Sequence, residues 1–302
     1  MDAAYVQKNI VNMMMKISKG VLNMAVLHIT IGMPASGKTT WAKNWVKNHP
    51  ETILVDSDAI RAELYGDEEC QDNPAKVFRL MEKRAIEALL AGKDVVYCAT
   101  NISYKNRKNI LARVRAKGFE TRAVVFATPI KECKRRNQAR ARVVPEFVFD
   151  RMQRQFMMPT HWEGFDFIDI IYTEGKEDGV YYLTLMVDFN QKNPHHSLTL
   201  DRHCTKAQIL GREYGVEIEQ AALWHDVGKI FTQTFDDNGV AHYYQHECYS
   251  GYIALCCGLS PHVCALISWH MAPYLNHSAL KLMDSKFYDD LMKLHKCDVG
   301  AH

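Results

Sequence analysis

Apolar and polar positions change their period along the chain, and the change divides it in two. Short runs of buried character at 27–31, 53–55, 95–98, 123–126 and 167–172 alternate with segments of helical spacing at 39–47, 74–91, 103–117 and from Ile130 onward. Strands separated by helices predict a parallel, doubly wound sheet. Residues 173–179 are polar and flanked by glycine, and the boundary is placed there. A strand-like run at 181–189 then gives way to helices expected at 199–214, 219–230, 246–257, 261–271 and 278–295, with a hairpin at Asp236-Asp237-Asn238-Gly239. The organisation expected is an N-terminal extension (1–24), an α/β unit with a parallel sheet flanked by helices (25–175) and a mainly α-helical unit (180–302).

Composition refines this picture in two places. Net charge is only +2, but residues 1–175 carry 27 Lys and Arg against 20 Asp and Glu, so the first unit is the candidate for a polyanionic partner. Histidine is biased the other way, with 11 of the 14 after residue 175, which points to metal or proton chemistry there. The nine cysteines show no C-x-x-C spacing and several sit in apolar helical runs. That usage fits reduced thiols and a cytoplasmic setting. No apolar run is long enough for a membrane span, and no membrane partner is expected.

The segment Gly32-Met33-Pro34-Ala35-Ser36-Gly37-Lys38-Thr39 satisfies G-x-x-x-x-G-K-[ST] between a buried strand and a helix. Glycines there let backbone N–H groups curl around phosphates, Lys38 can reach the β and γ oxygens, and the Thr39 hydroxyl can hold Mg²⁺ at a helix N-terminus. Gly32, Ser36, Gly37, Lys38, Thr39 and Thr40 are the nucleotide-binding candidates, with ATP or another NTP as cofactor.

Asp58 and Arg61 follow the second strand, at the carboxyl edge where open α/β sheets bind ligands. A carboxylate there can take the proton of an attacking hydroxyl, and Arg61 can bind a neighbouring phosphate. Asp56 and Asp58 are equally placed to cap the helix at 59–64. Further on, 131–142 is arginine-rich ahead of Pro145, and Arg136 or Arg140 could close over a nucleotide, or the stretch could be a solvated basic helix.

On these residues, together with Thr100-Asn101 and Val144-Pro145, the first unit resembles the 5′-hydroxyl polynucleotide kinase domain of bacteriophage polynucleotide kinase-phosphatases. The resemblance implies that Asp58 is the general base, Arg61 contacts the acceptor's terminal phosphate, Asn101 binds substrate and Arg140 is a lid arginine. Ala99 stands where that pattern has an acid, so any role of the acid is absent or moved.

In the second unit His203, His225-Asp226, His246 and His270 fall on expected helices and Asp298 lies just past the last one, so all could meet in one pocket. Imidazole and carboxylate suit a divalent transition metal, such as Mn²⁺, Ni²⁺, Co²⁺, Fe²⁺ or Zn²⁺. From about residue 193 to 302 the chain resembles the HD phosphohydrolase superfamily. Its four-ligand pattern carries over to His203, His225, Asp226 and Asp298, His246 and His270 match the extra ligands of dinuclear members, and Lys229 matches a lysine near the phosphate. Asn193-Pro194-His195-His196 is reminiscent of a segment in HD domains that process tRNA ends. The pairing resembles bacterial enzymes that join an HD phosphohydrolase to a polynucleotide kinase, in the reverse order.

The function expected is bifunctional healing of RNA or DNA ends, upstream of a ligase, in a bacterial or phage-infected cell. The alternatives are a nucleoside or sugar kinase fused to a nucleotidase, or a kinase carrying a non-catalytic metal-bound module.

Overall fold

The computed structural model describes residues 25–68, 70, 72–140, 143–194 and 197–301. The N-terminal extension, Arg142, His195 and His196 lie outside them.

Five parallel strands form one sheet: β1 (Val26–Ile31), β2 (Ile53–Asp56), β3 (Val95–Cys98), β4 (Glu120–Ala127) and β5 (Phe167–Tyr172), in the order β2-β3-β1-β4-β5. Helices connect them: α1 (Lys38–Asn48), α2 (Ser57–Tyr65), α3 (Pro74–Leu90), α4 (Tyr104–Ala116), α5 (Ile130–Gln138) and α6 (Glu146–Gln153). Because β1 is central and covered on both faces, Leu27, Ile29 and Ile31 are fully buried and so is Thr30. Side-chain caps start the helices: Asn73 accepts from the Lys76 N–H at 3.0 Å and Ser103 from the Asn106 N–H at 3.3 Å.

His28 faces the other way, tilted against the Trp45 ring at 4.9 Å. Burial first, and then the nearby Arg122, lower its pKa to about 4. The unfolded chain protonates near the ordinary value of 6.5, so this site costs stability progressively as pH falls from about 6.5 to 4. His28→Leu is expected to flatten the urea-midpoint decline over that interval; an unchanged slope would place the acid sensitivity elsewhere.

The helical region comprises α7 (Gly179–Met186), α8 (Leu200–Gly211), α9 (Val216–Trp224), α10 (Lys229–Thr232), the hairpin β6 (Thr234–Phe235) and β7 (Ala241–His242), α11 (His246–Cys256), α12 (Pro261–Trp269), α13 (Ala272–Leu275), α14 (His277–Leu280) and α15 (Ser285–Gly300). Three expectations fail here. The strand-like run at 181–189 begins as helix α7, capped by Asp178 accepting from the Val180 N–H at 2.9 Å, since a continuous apolar run fits either period. The helix expected at 219–230 breaks between α9 and α10, which puts His225-Asp226-Val227-Gly228 in a turn. The helix expected at 278–295 starts later, at Ser285, where the Asp284 carboxylate accepts from the Phe287 N–H at 2.9 Å.

Separate cores for the two units, implied by the boundary at 175, are not found. Apart from a small cluster of Ala42, Val96 and Cys98, buried apolar side chains from Ala25 to Ala301 form one continuous cluster. Phe156 packs edge-on against Tyr252 at 5.0 Å and Trp162 against Trp269 at 5.1 Å, so aromatic rings bridge the regions.

Candidate active sites

At the carboxyl end of β1 the loop turns sharply enough to need left-handed backbone at Ala35 (φ 59°) and Gly37 (φ 102°). Gly32 must lack a side chain, since a Cβ would sit 2.9 Å from Ser36 Oγ and 3.0 Å from the Phe126 Cβ. The loop borders a cavity of about 1050 Å³ lined by residues 34–40, Asp56, Asp58, Arg61, Arg136 and Arg140, with Phe78, Val148, Arg151 and Met152 on the far wall. That is room for a nucleotide and part of a second substrate.

Lys38 is buried and its ammonium donates to Met33 O at 2.5 Å and Ser36 Oγ at 3.3 Å. Burial lowers its pKa to about 8. A polyphosphate favours the ammonium, so nucleotide binding above that value requires proton uptake. ATP affinity is expected to be flat below about pH 7 and to fall by up to tenfold per unit above about pH 8, with buffer-dependent binding heats in calorimetry. Constant affinity to pH 10 would remove Lys38 as the titrating phosphate ligand.

The structure separates the two aspartates. Asp56 Oδ1 accepts from the N–H groups of Asp58 (2.8 Å) and Ala59 (3.1 Å) and is the helix cap. Asp58, free of that task, faces the cavity and pairs with the Arg61 guanidinium at 2.6 Å. Arg61 is itself buried, and its Nε has no partner among the described residues. A buried guanidinium N–H without an acceptor is costly and suits an anionic ligand.

Arg136 is tied to Glu132 at 2.6 Å and to Glu174, while Arg140 is exposed on the cavity rim. Thr39 and Thr40 are exposed at the N-terminus of α1, and Thr39 Oγ1 lies 4.0 Å from the Cys98 sulfur. Ala99 lines the cavity, leaving Asp56 and Asp58 as its carboxylates among the described residues. Asn101 is placed differently from the rest: it is buried, its amide donates to Thr30 O at 2.9 Å, and it does not line the cavity. Its carbonyl accepts from Arg107, whose guanidinium forms a fully buried bidentate pair with Glu163 at 2.8 Å.

The second constellation gathers as its spacing suggests, though not all from helices. His203 comes from α8 and Asp298 from α15; His246 is the first residue of α11, His270 follows α12, and His225-Asp226 occupy the turn. Asp226 sits between two groups. Its Oδ2 lies 3.3 Å from His225 Nε2 and 3.6 Å from His203 Nε2, and its Oδ1 lies 3.0 Å from His246 Nε2 and 3.7 Å from His270 Nε2. Asp298 closes the first group, 3.2 Å from His203 Nε2 and 3.5 Å from His225 Nε2.

The ring orientations test whether a cation fits. The Nδ1 atoms of His225, His246 and His270 face the carbonyls of Ala222 (2.8 Å), Tyr243 (2.7 Å) and Ile267 (2.8 Å). Donation there fixes the tautomer in which Nε2 carries a lone pair pointing inward, the form a metal needs. The sets His203-His225-Asp298 and Asp226-His246-His270 can each hold an ion, and Asp226 joins them. Burial opposes charge on His225, yet Asp226 and Asp298 outweigh it and raise its pKa to about 10. One buried carboxylate, Asp226, and one partly buried, Asp298, thus create a strong demand for positive charge.

Apart from Lys229, the side chains around this set carried no sequence signal. Lys229 Nζ touches Asp226 Oδ2 at 2.6 Å and Gln191 Oε1 at 2.9 Å, and the Tyr243 hydroxyl donates to Gln191 O. The Tyr274 hydroxyl donates to Asp298 Oδ2 at 3.3 Å, and Cys204 adjoins His225 and Asp226.

A family model for an AAA domain matches residues 27–159. Among solved structures, a chain in the structure of a Pnkp1/Rnl/Hen1 complex is similar over 41% of this chain and 41% of its own length, with 23% identity and a TM-score of 0.34. No curated protein matches. The α/β region is a P-loop domain built on a five-stranded parallel sheet, followed by a helix-rich region. No helix among the described residues is long and apolar enough to cross a membrane.

Proposed function

We propose that the chain heals nucleic-acid ends with two activities: an NTP-dependent 5′-hydroxyl polynucleotide kinase in 25–175 and a metal-dependent 3′- (or 2′,3′-) phosphatase in 180–302. The observation that carries the kinase is the Asp58–Arg61 pair, 2.6 Å apart, on the cavity that also holds Lys38 and Thr39.

In this reading Asp58 accepts the proton of the 5′-hydroxyl as its oxygen attacks the γ-phosphorus, and the bond to the β-phosphate oxygen breaks to release NDP. Lys38 neutralises charge on the transferring group, and Arg140 reaches it from the rim. Arg61, which lines the cavity, takes a phosphate oxygen of the acceptor. Thr39 holds the Mg²⁺ that accompanies the NTP. The basic balance of 1–175 favours a polymer over a free nucleoside.

The observation that carries the phosphatase is Asp226, with one oxygen toward each histidine group. Divalent ions bound there supply Lewis-acid polarisation of a phosphoryl oxygen and of water. Lys229, held by Gln191, places an ammonium beside Asp226 for the phosphate. Cleared 3′ ends and phosphorylated 5′ ends are what a ligase joins, in a cytoplasmic setting.

One oligonucleotide with 5′-hydroxyl and 3′-phosphate ends tests both halves. With ATP and Mg²⁺ or Mn²⁺ it is expected to gain a 5′ phosphate and lose the 3′ one, with a kinase rate that declines as salt rises. Equal efficiency on free nucleoside without a salt slope would favour the small-molecule kinase. Metal binding without phosphate release from any phosphoester would leave the helical region as a binding module.

A further inference from the structure

Helix α11 begins at His246, one of the candidate metal ligands. From its second turn, Tyr252 donates its hydroxyl to Thr128 O at 2.6 Å. The Thr128 hydroxyl in turn donates to Ser36 O, inside the phosphate loop, at 3.0 Å. A hydroxyl has one proton, so the 2.8 Å contact between Thr128 Oγ1 and Thr173 Oγ1 must be donated by Thr173. Thr173 then packs beside Gly37, where a Cβ would lie 3.7 Å from its methyl group.

Tyr252 is 1% exposed, and Thr128 and Ser36 are wholly buried, so water cannot replace these bonds. We propose that Tyr252 is a positioning residue for phosphate binding: through Thr128 it fixes the carbonyl of Ser36 and so the aim of the loop N–H groups. The kinase-like domain therefore borrows part of its nucleotide site from the helical region. The idea goes beyond the end-healing reading and depends only on nucleotide binding by the loop.

A second tyrosine of the same helix supplies a control. Tyr249 donates to Asp150 on α6, an interdomain bond that does not lead to the loop. ATP dissociation constants would be measured on the full chain with a fluorescent ATP analogue, beside thermal melts. Tyr252→Phe keeps the ring against Phe156 and is expected to weaken ATP binding about three- to tenfold, the scale of one buried hydrogen bond. At saturating ATP, turnover should be near normal. Thr128→Val should weaken binding at least as much, Thr128→Ser should restore it, and adding Tyr252→Phe to Thr128→Val should cost little more, because both act through one path. Tyr249→Phe should leave ATP affinity within about twofold. Unchanged affinity in Tyr252→Phe, or equal weakening in Tyr252→Phe and Tyr249→Phe, overturns the proposal in favour of general packing.

Discussion

Lys38→Ala and Asp58→Ala are each expected to reduce 5′ phosphorylation by about a hundredfold or more while phosphate release by the helical region continues. The two losses should differ in kind. Lys38 is the buried cation of the loop, so its removal weakens NTP binding as well as turnover. Asp58 hydrogen-bonds to no phosphate-loop residue among the described residues and pairs with Arg61, so Asp58→Ala should bind ATP nearly normally and fail at proton removal. Asp58→Asn keeps the shape and should be equally slow, since an amide cannot accept the proton at neutral pH. Near-normal transfer by Asp58→Ala would return it to a structural role in the first turn of α2, beside the cap that Asp56 already supplies.

Asp226→Ala is expected to abolish phosphate release and to lower the metal content of the purified protein, because it removes the one carboxylate shared by both histidine groups. His246→Ala and His270→Ala should lose the second ion while keeping the first, held by His203, His225 and Asp298. Metal analysis beside turnover separates the cases. Full activity with one ion per chain in His246→Ala would show that the first group suffices. Lys38 chemistry should persist in Asp226→Ala, since the described contacts of Asp226 all lie within the helical region.

The parts legible in the sequence share one property: their signal is local. The strand-loop-helix around Lys38 and the alternation of strands and helices up to Tyr172 follow from neighbours within a few residues. The ligand set was readable because histidine is scarce in the first region and ordered in the second. What was hidden depends on distant partners. The break that presents Asp226 arises where Gly228 is pressed against α11, so closely that a Cβ would lie 2.3 Å from His246 O. Asn101 is held by a strand about 70 positions earlier, Arg107 by a glutamate 56 residues later, and Thr128 by a tyrosine 124 residues later. The division of labour between Asp56 and Asp58 also needed coordinates, because both stand where a cap or a base could be.

The apolar cluster shared by both regions has a consequence for how the molecule melts. Cleaving the link near Gly175 would not yield two stable fragments, because each would expose rings that now face the other, Trp162 on one side and Tyr252 and Trp269 on the other. Heat should therefore undo both regions in one cooperative transition, with calorimetric and van't Hoff enthalpies in agreement. A lesion far from either pocket, at Phe156 or Trp269, would then disable both sites together by depleting the folded population.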